Sequence, residues 1–468
     1  MPLSPVRSVL IASILALGSP PFAMSAAAED GASGEGFAPC EDRDTVEALA
    51  GTLCSRTSVP LDHAEPNGEA IELFVRKFPA QGASKGQLWL VAGGPGESGA
   101  SFYPFMETVR AAAPGFDVIV PDHRGTGYST RLCPEEESTG SVAGQALAGA
   151  EWGSCFGALN ADAERTRAFT VTNAAHDLSM LMNRYETGGS RFLYGVSYGT
   201  QLVVRTLTVA APEDLDGVIL DSLVPPERTT RFDLSHRSAV TDAVGRMVLR
   251  ECDSRAECAR YLPQGAEAAL ESVLAREDVA ELLGPKPKIR LASLLTLPET
   301  RAMIPYVVAG LQTGDTAWLE HAEGRLAELG ARFDAFPQAG SSIPLVSFIS
   351  LSENNARPDL SAETVAEEES GLLFASSLPS LLLSGGVPTY AKDANFGTVP
   401  ADVPPMLVLH GDRDPKTPLE GASAHVAMLR DAGEIELIEV EGAPHFILMA
   451  APEEFGRAVG QFIETNAD

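Results

Sequence analysis

The sequence is short of positive charge. Its 34 lysines and arginines face 64 aspartates and glutamates, which leaves a formal net charge of −30 at pH 7. A surface this acidic repels phosphate backbones, so the composition argues against nucleic-acid binding. The same charge would keep a protein soluble, and it would also attract cationic substrates such as peptides with a free amino terminus. Charge alone does not separate these two interpretations.

Long apolar runs are also missing. Beyond the N-terminus no stretch approaches the roughly 18 apolar residues that a membrane span needs, so no stable membrane insertion is expected. The N-terminus itself carries Arg7, a short apolar segment at 8–17 and small residues up to Ala28. This order is typical of a signal peptide, and we expect cleavage near Ala28 and a secreted or periplasmic protein. The alternative is an apolar segment that stays as an anchor.

The sequence has no CxxC element, which makes a metal site the less favoured use of its six cysteines. The cysteines fall into three pairs that are close in the sequence. In an oxidising compartment we therefore expect three disulfides, a pairing that rests on proximity alone. The expected pairs are Cys40–Cys54, Cys133–Cys155 and Cys252–Cys258.

Internal repeats are absent, and short apolar runs alternate with helical segments, which predicts βαβ units and a mostly parallel sheet. The expected strands are 71–78, 87–92, 117–120, 191–196, 217–221, 406–410 and 435–440. The expected helices between them are 100–112, 171–187, 199–210 and 418–431. The strand pattern is lost from 228 to about 395, where segments such as 300–312 and 316–330 have amphipathic helical spacing.

The predicted fold class is therefore α/β, a mostly parallel sheet flanked by helices and interrupted by a helical insertion. We predict a signal peptide at 1–28, an N-terminal leader at 29–55, a core at 56–227 and 400–468, and a helical cap at 228–399.

A Gly-x-Ser-x-Gly motif stands at 195–199, between a predicted strand and a predicted helix. A strand that turns at once into a helix strains the backbone of the central residue and exposes its side chain. Glycines must flank that residue, because a Cβ there would collide with neighbouring backbone. The pattern is common by chance, but this setting predicts that Ser197 is a nucleophile.

A serine hydroxyl is a poor nucleophile at neutral pH and needs a base. His445 follows the predicted strand 435–440, and the carboxyl ends of parallel strands share one edge of a sheet, where ligands bind. This puts His445 on the same edge as Ser197, and we expect it to be the base. His410 also ends a strand, but Gly411 follows it directly, which favours a structural role.

The base needs a carboxylate that fixes its tautomer and stabilises its cation. Asp414 lies deep in the turn after strand 406–410, where its side chain can reach the loop of His445, and we expect it to be the acid. Asp412 is expected to bond backbone within that turn. Asp221, at the end of another predicted strand, is the remaining alternative.

Attack on a carbonyl develops negative charge that preorganised N–H groups must meet. We expect one donor in the amide of Tyr198, at the positive end of the helix after the motif. The second is expected from the turn Gly93–Gly96, whose glycines let backbone approach a substrate closely, and Gly94 is the expected donor. The alternative is an ordinary glycine-rich loop.

These motifs together resemble those of a known family. The turn AGGPGESG is similar to the HGGPG element of prolyl aminopeptidases and the related secreted tripeptidyl aminopeptidases, which are α/β-hydrolases. PDHRGTGYS resembles their D-Q-R-G-x-G-x-S element, GVSYGT their nucleophile turn, and DRDPKTP their acid region. The resemblance covers the predicted core in the right order and implies the α/β-hydrolase fold with an inserted helical cap domain.

Two positions depart from the family pattern. Ala92 stands where the family has histidine and His123 where it has glutamine. Neither removes a catalytic group, but both bear on substrate specificity. The family's aminopeptidases hold the substrate amino terminus with acidic residues of the cap, and the segment 348–358 resembles such an element. The resemblance makes Glu353 a candidate for this contact, with a solvated glutamate at a helix end as the alternative.

The resemblance implies a secreted serine hydrolase that acts as an exo-acting aminopeptidase on short peptides, through an acyl-enzyme, with no cofactor and no metal. The alternative is a carboxylic-ester hydrolase, an esterase or lipase, with the same triad. An epoxide hydrolase or dehalogenase is disfavoured, because the motif carries serine where those enzymes need aspartate. A catalytically inactive binding module is disfavoured by the complete set of catalytic elements.

Overall fold

One sheet runs through the residues described by this computed structural model, which are 36–138, 152–336, 338, 340–383 and 385–467. The predicted signal peptide, 1–28, lies outside them. The strands are β1 (Ala38–Pro39), β2 (Leu53–Pro60), β3 (Ala70–Phe78), β4 (Gly86–Val91), β5 (Asp117–Pro121), β6 (Ser190–Val196), β7 (Gly217–Asp221), β8 (Met406–Gly411) and β9 (Ile435–Val440). They lie side by side in the order β1-β2-β3-β5-β4-β6-β7-β8-β9.

The sheet is parallel from β5 to β9 in this order, and β1, β2 and β3 form an antiparallel edge. The predicted strands are all present, with ends within about one residue of the expected bounds. The first two strands were not predicted, so the sheet begins inside the segment 29–55 that was expected to be a leader. β2 was missed because it is largely polar, and β1 because it is only two residues long. The Cys40–Cys54 disulfide links the residue after β1 to β2.

The helices follow the predicted alternation. They are α1 (Met106–Ala112), α2 (Gly153–Ala161), α3 (Ala163–Arg167), α4 (Val171–Arg184), α5 (Tyr198–Val209), α6 (Arg237–Asp253), α7 (Cys258–Tyr261), α8 (Ala266–Leu274), α9 (Val279–Leu283), α10 (Pro287–Ser293), α11 (Pro298–Gln312), α12 (Ala317–Asp334), α13 (Ile343–Ser352), α14 (Ala362–Ser370), α15 (Leu378–Leu382), α16 (Leu419–Leu429), α17 (Ile447–Ala450) and α18 (Pro452–Asn466). The segment 100–112 is a 3₁₀ turn, Gly99–Phe105, followed by α1, because Pro104 has no N–H to donate.

The central strands are apolar on both faces. Trp89 and Val91 of β4 belong to one apolar layer, and Leu88 and Leu90 to the layer on the opposite face. All four side chains are buried, as expected of a parallel strand covered by helices on both sides. The sheet is therefore a rigid platform, and the carboxyl ends of its parallel strands form one edge.

The insertion between β7 and β8 is helical, as predicted, and contains α6 to α15. It has an apolar core of its own, with contributions from Leu249, Leu270, Leu291 and Val308. The three disulfides join the expected cysteine pairs. Among the described residues, no helix is long and apolar enough to cross a membrane.

Candidate active site

Ser197 occupies a sharp turn between β6 and α5. Its backbone has φ 54° and ψ −123°, a conformation that non-glycine residues rarely adopt. Its amide donates to the carbonyl oxygen of Asp221 on β7, 3.0 Å away, which holds the turn against the sheet. A Cβ on Gly195 would lie 2.6 Å from the carbonyl oxygen of Gly199, and a Cβ on Gly199 would overlap that of Val91. The flanking glycines are required by these close approaches, as the sequence predicts.

Asp414 and His445 meet at the carboxyl end of β8 and β9. The Nδ1 of His445 lies 2.7 Å from Oδ2 of Asp414, and the hydroxyl of Thr417 donates to the same oxygen at 2.8 Å. The amides of Lys416 and Thr417 donate to Oδ1 at 2.7 and 2.8 Å. Asp414 is only 1% exposed. This arrangement directs Nδ1–H of His445 at the carboxylate and leaves Nε2 to accept a proton.

The environment keeps Asp414 ionised. Burial acts to raise its pKa, but the attraction and hydrogen bond of His445 and the donation from Thr417 outweigh burial, and the pKa lies well below its ordinary value. Thr417 was not singled out from the sequence. The signal was present, because a threonine three residues after an aspartate is the pattern of a local side-chain turn.

Asp221, the alternative acid, has different partners. Its Oδ1 accepts from the amide of Ile447 at 2.8 Å and the hydroxyl of Ser222 at 3.0 Å. Its Oδ2 accepts from the hydroxyl of Tyr194 at 2.7 Å and the amide of Leu448 at 3.0 Å. These bonds use both oxygens to hold the start of α17, the helix that follows the histidine loop. The geometry thus favours Asp414 as the partner of the base.

The other two polar residues of this edge have structural partners. The Nε2 of His410 lies 2.6 Å from the carbonyl oxygen of Thr417 and braces the acid loop. Asp412 accepts from the amide of Gly442 and from Arg413, both at 2.7 Å. The structural role expected for His410 fits this contact, whereas the backbone partner of Asp412 lies in the loop after β9 and not within its own turn as expected.

The glycine-rich turn after β4 lies against the nucleophile. A Cβ on Gly93 would be 3.2 Å from the Cβ of Ser197, and Gly94 has φ 112°, a conformation that favours glycine. Tyr198 is the first residue of α5, so its amide has no partner within the helix. Gly94, Ser197, Tyr198 and His445 all line one cavity. The two expected N–H donors are therefore gathered with the nucleophile and the base.

Backbone strain concentrates at this site. Three of the four non-glycine residues with positive φ in the described residues are Ser197, Ser222 with φ 55° and Phe446 with φ 71°. The amide of Phe446 donates to the hydroxyl of Ser222 at 2.8 Å, which couples the histidine loop to the end of β7. Strained backbone of this kind persists where the surroundings fix it, and it clusters at functional sites.

The cavity above the site has a volume of about 1350 Å³. The core supplies its catalytic candidates, and the insertion supplies much of the remaining lining. The apolar part of that lining includes Ile289, Leu329, Phe333, Leu351 and Leu378. A cavity of this size accepts a peptide of a few residues or a comparable ester.

Glu353 lines the same cavity and is 3% exposed. Its Oε1 accepts from the hydroxyl of Tyr390 at 2.8 Å, and its Oε2 accepts from Arg205 at 3.0 Å and Gln201 at 3.2 Å. Burial raises the pKa of Glu353, and the Arg205 guanidinium opposes that rise. Glu353 is thus a buried, paired carboxylate, not the solvated helix end that was the alternative.

Glu227 joins this group and was not predicted. Its Oε1 accepts from Arg205 at 2.6 Å and from Gln201 at 3.0 Å, and its Oε2 accepts from the amide of Gly397. Two carboxylates therefore share one guanidinium, which leaves an excess of one negative charge when both are ionised. We call Arg205, Glu227 and Glu353 the acidic cluster. Its members are far apart in the sequence, so no local motif marks it.

Asp122 holds the glycine-rich turn in place. It accepts from the amide of Gly99 at 2.8 Å and from Gln338 of the insertion at 2.7 Å, and burial raises its pKa to about 6. The next residue, His123, packs against Tyr198 with ring centroids 5.7 Å apart. Burial lowers the pKa of His123 to about 4, so its ring is neutral at pH 7. This departure from the family pattern therefore adds no charge beside the nucleophile.

Comparison with known proteins agrees with the sheet and with the order of the motifs. A family model described as the alpha/beta hydrolase fold matches residues 88–258, and one described as a TAP-like protein matches residues 382–465. This chain has the α/β-hydrolase fold. The match also supports its assignment as a serine hydrolase. The first matched segment contains Gly94 and Ser197, and the second contains Asp414 and His445.

Three curated proteins illustrate the relatives of this α/β-hydrolase. Serine protease Hip1 of Mycobacterium tuberculosis is 28% identical over 252 residues, 50% of this chain and 47% of that protein. Tripeptidyl aminopeptidase of Streptomyces coelicolor is 30% identical over 200 residues, 37% of this chain and 36% of that protein. Carboxylesterase B of Mycobacterium tuberculosis is 32% identical over 151 residues, 27% of this chain and 28% of that protein. The matches span about half or less of the length of these relatives.

Proposed function

We propose that this α/β-hydrolase is a secreted, exo-acting aminopeptidase that cleaves short peptides near a free N-terminus. The observation that carries the proposal is the acidic cluster, whose two carboxylates, Glu227 and Glu353, line the same cavity as Ser197 and His445. A protonated amino terminus is the natural partner for an excess negative charge that is largely shielded from water. The names of two relatives, a serine protease and a tripeptidyl aminopeptidase, point the same way.

In the proposed reaction the Oγ of Ser197 attacks the scissile carbonyl carbon while Nε2 of His445 takes the hydroxyl proton. Asp414 stabilises the resulting imidazolium, and the amides of Gly94 and Tyr198 bind the oxyanion. His445 then donates its proton to the leaving amine, and the C–N bond breaks to leave an acyl-enzyme. Water attacks the ester with His445 as base, and the released acid regenerates Ser197.

Within the acidic cluster, the acceptor capacity lies mainly on Glu227. Both oxygens of Glu353 already receive donors from Arg205, Gln201 and Tyr390. The Oε2 of Glu227 has one described partner, the amide of Gly397, and a carboxylate oxygen can accept twice. We therefore assign the direct contact with the ammonium group to Glu227, with Glu353 as the second charge that the single arginine cannot neutralise.

The residues of α5 that bond to Glu227 and Glu353 suggest how many residues are released. Gln201 and Arg205 follow Ser197 by one and two helical turns, which is roughly 6 to 12 Å along the axis. An extended residue spans at most about 3.6 Å. A peptide that reaches from the cluster to Ser197 then carries two or three residues before the scissile bond, so we expect release of dipeptides or tripeptides.

Secretion is part of the proposal. Three disulfides are stable in an oxidising compartment, and the sequence at 1–28 has the order of a signal peptide. Mass spectrometry of the mature protein from the culture or periplasmic fraction should give an N-terminus close to residue 29. A full-length chain retained in the cytosol would contradict this part.

The experiment for the activity compares a free-amine peptide with its N-acetylated counterpart. We expect kcat/KM for the blocked peptide to be lower by roughly 10- to 100-fold, the worth of a charge-assisted hydrogen bond. Glu227→Gln and Glu353→Gln should raise KM for the free-amine peptide and leave a neutral ester substrate unchanged. Equal turnover of free and blocked peptides would reject the aminopeptidase assignment.

The second candidate is a carboxylic-ester hydrolase with the same triad. The similarity to carboxylesterase B and the apolar part of the cavity lining favour it. It predicts rapid turnover of neutral esters, no turnover of tetrapeptides, and no effect of Glu227→Gln on any substrate. The same substrate panel therefore separates the two candidates.

A further inference from the structure

Arg237, the first residue of α6, is a buried cation in the active-site cavity. It is 8% exposed and lines the cavity together with Ser197 and His445. Its Nε is buried without a partner, and its guanidinium forms no hydrogen bond or ion pair with the described part of the chain. A buried guanidinium N–H without a partner is costly, because this donor loses water and gains no hydrogen bond in return.

The neighbouring acid, Asp233, attracts Arg237 through its charge but forms no hydrogen bond or ion pair with it. The two oxygens of Asp233 accept from the hydroxyl of Ser235, the ring of His236 and the amide of Ala356. Asp414 contributes an attraction but is committed to His445 and its own loop. Burial lowers the pKa of Arg237 to about 10, so the group stays charged at pH 7.

Arg237 lies on the base side of the site. Thr241, one turn further along α6 on the same face, donates to the carbonyl oxygen of Pro415 at 3.2 Å, and Pro415 directly follows Asp414. The acidic cluster contacts α5, the helix that leads away from Ser197. Arg237 thus lies on the helix that contacts the acid loop, and the carboxylates of the acidic cluster bond to α5, while the turn before α6 also bonds to Asn354, the residue after Glu353.

We propose that Arg237 binds a carboxylate on the leaving group of the substrate. The leaving group is the part that receives a proton from His445, and Arg237 lies beside the loop that orients this histidine. A planar guanidinium with free N–H groups matches a carboxylate in a two-point contact. This assignment of Arg237 rests on the proposed function and specifies its substrate class. The substrate is a short peptide with an amine at one end and a carboxylate just beyond the scissile bond.

The carboxylate can come from two sources, a free C-terminus or an acidic side chain. A first substrate pair, tetra-alanine and tetra-alanine amide, tests the C-terminus. A second pair, Ala-Ala-Ala-Asp-amide and Ala-Ala-Ala-Asn-amide, tests the side chain. We expect the wild-type enzyme to prefer the acid of at least one pair by roughly 10- to 100-fold in kcat/KM.

Substitutions of Arg237 test whether this residue causes the preference for the acid. Arg237→Gln should abolish it by raising KM for the acid, with the amide unchanged, and it should not lower the unfolding temperature, because it removes an unpaired buried charge. Arg237→Lys keeps the charge without the planar fork and should retain part of the preference, which also covers the case in which Arg237→Gln does not fold. Lys392→Gln removes an exposed positive charge from the same cavity and should leave the preference intact.

A third pair makes the test independent of amine recognition. The butyryl ester of glycolic acid and the butyryl ester of glycolamide differ only in a leaving-group carboxylate and carry no amine. If no peptide is cleaved but the acid ester is still preferred over the amide ester, the aminopeptidase assignment is rejected and the role of Arg237 is supported. Any of three results would overturn the role of Arg237. They are no preference for the acid in any pair, a preference that survives Arg237→Gln, and an equal loss of kcat/KM for acid and amide in that variant.

Discussion

Two buried aspartates at the same sheet edge allow a sharp test of which one serves the base. In Asp414→Asn the new amide group can still accept from the amides of Lys416 and Thr417 through its oxygen, so the loop should keep its shape. Its NH₂ group would then face Nδ1 of His445 and favour the tautomer with the proton on Nε2. That tautomer cannot take the proton of Ser197. We expect kcat to fall by about 10³- to 10⁴-fold, which corresponds to roughly 4 to 5.5 kcal/mol.

Asp221→Asn should have the opposite profile. The carboxylate accepts from four donors, two of which are the amides of Ile447 and Leu448. An asparagine offers one acceptor oxygen, so at least one buried N–H loses its partner, at a cost of about 1–3 kcal/mol. Because this residue does not contact His445 through its side chain, we expect kcat to stay within about tenfold of the wild type.

The assay combines two measurements on each variant. Turnover of an activated ester reports the chemical step, and guanidinium-induced unfolding reports stability. We expect Asp414→Asn to lose activity and keep most of its stability, and Asp221→Asn to lose stability and keep most of its activity. The reverse pattern would show that Asp221 is the acid and that the short contact of Asp414 with His445 is structural.

Two further predictions concern the turn and the acidic cluster. Gly199→Ala would bring a Cβ onto the carbonyl oxygen of Val91, so it should lower the free energy of unfolding by about 1–3 kcal/mol and reduce turnover. Its control is Gly324→Ala in α12, where the space around the glycine is open, and this variant should be neutral or stabilising by up to about 1 kcal/mol in the same denaturant experiment. Equal effects of the two substitutions would mean that the turn tolerates a side chain. Burial raises the pKa of Glu353, so lowering the pH through that pKa protonates the carboxyl and removes the excess charge. We expect the ratio of kcat/KM for a free-amine peptide to that for a neutral ester to fall on the acid side, and Glu353→Gln to weaken this pH dependence; a ratio that is constant from pH 4 to pH 8 would contradict the role of the cluster.

The parts of the site that the sequence predicts are those with local signatures. Ser197 stands in a five-residue motif whose strand-to-helix setting is readable, and Asp414 and His445 each follow a strand of a parallel sheet. The topology of such a sheet brings these strand ends to one edge, so three residues far apart in the sequence could be assigned together. The glycine-rich turn is similarly local.

The parts that the sequence does not predict depend on the insertion. Glu227 and Glu353 share Arg205 because the insertion and α5 fold against each other. The segment 348–358 made Glu353 a candidate by resemblance, but nothing in the sequence near Glu227 or Arg205 indicates that they join it. The same holds for Arg237, whose significance lies in the absence of a described partner. β2 was missed for a different reason, since a largely polar strand near the edge of the sheet lacks the apolar run that marks the buried strands.

The most direct test of the account is the site of covalent labelling by a fluorophosphonate. This reagent reacts with an activated serine, so peptide mapping by mass spectrometry should find a single adduct on Ser197. Ser197→Ala should abolish both the adduct and the turnover of peptides and esters, while unfolding stays unchanged. Labelling of another residue in the wild type, or turnover that survives in Ser197→Ala, would contradict the central claim that this strained turn carries the nucleophile.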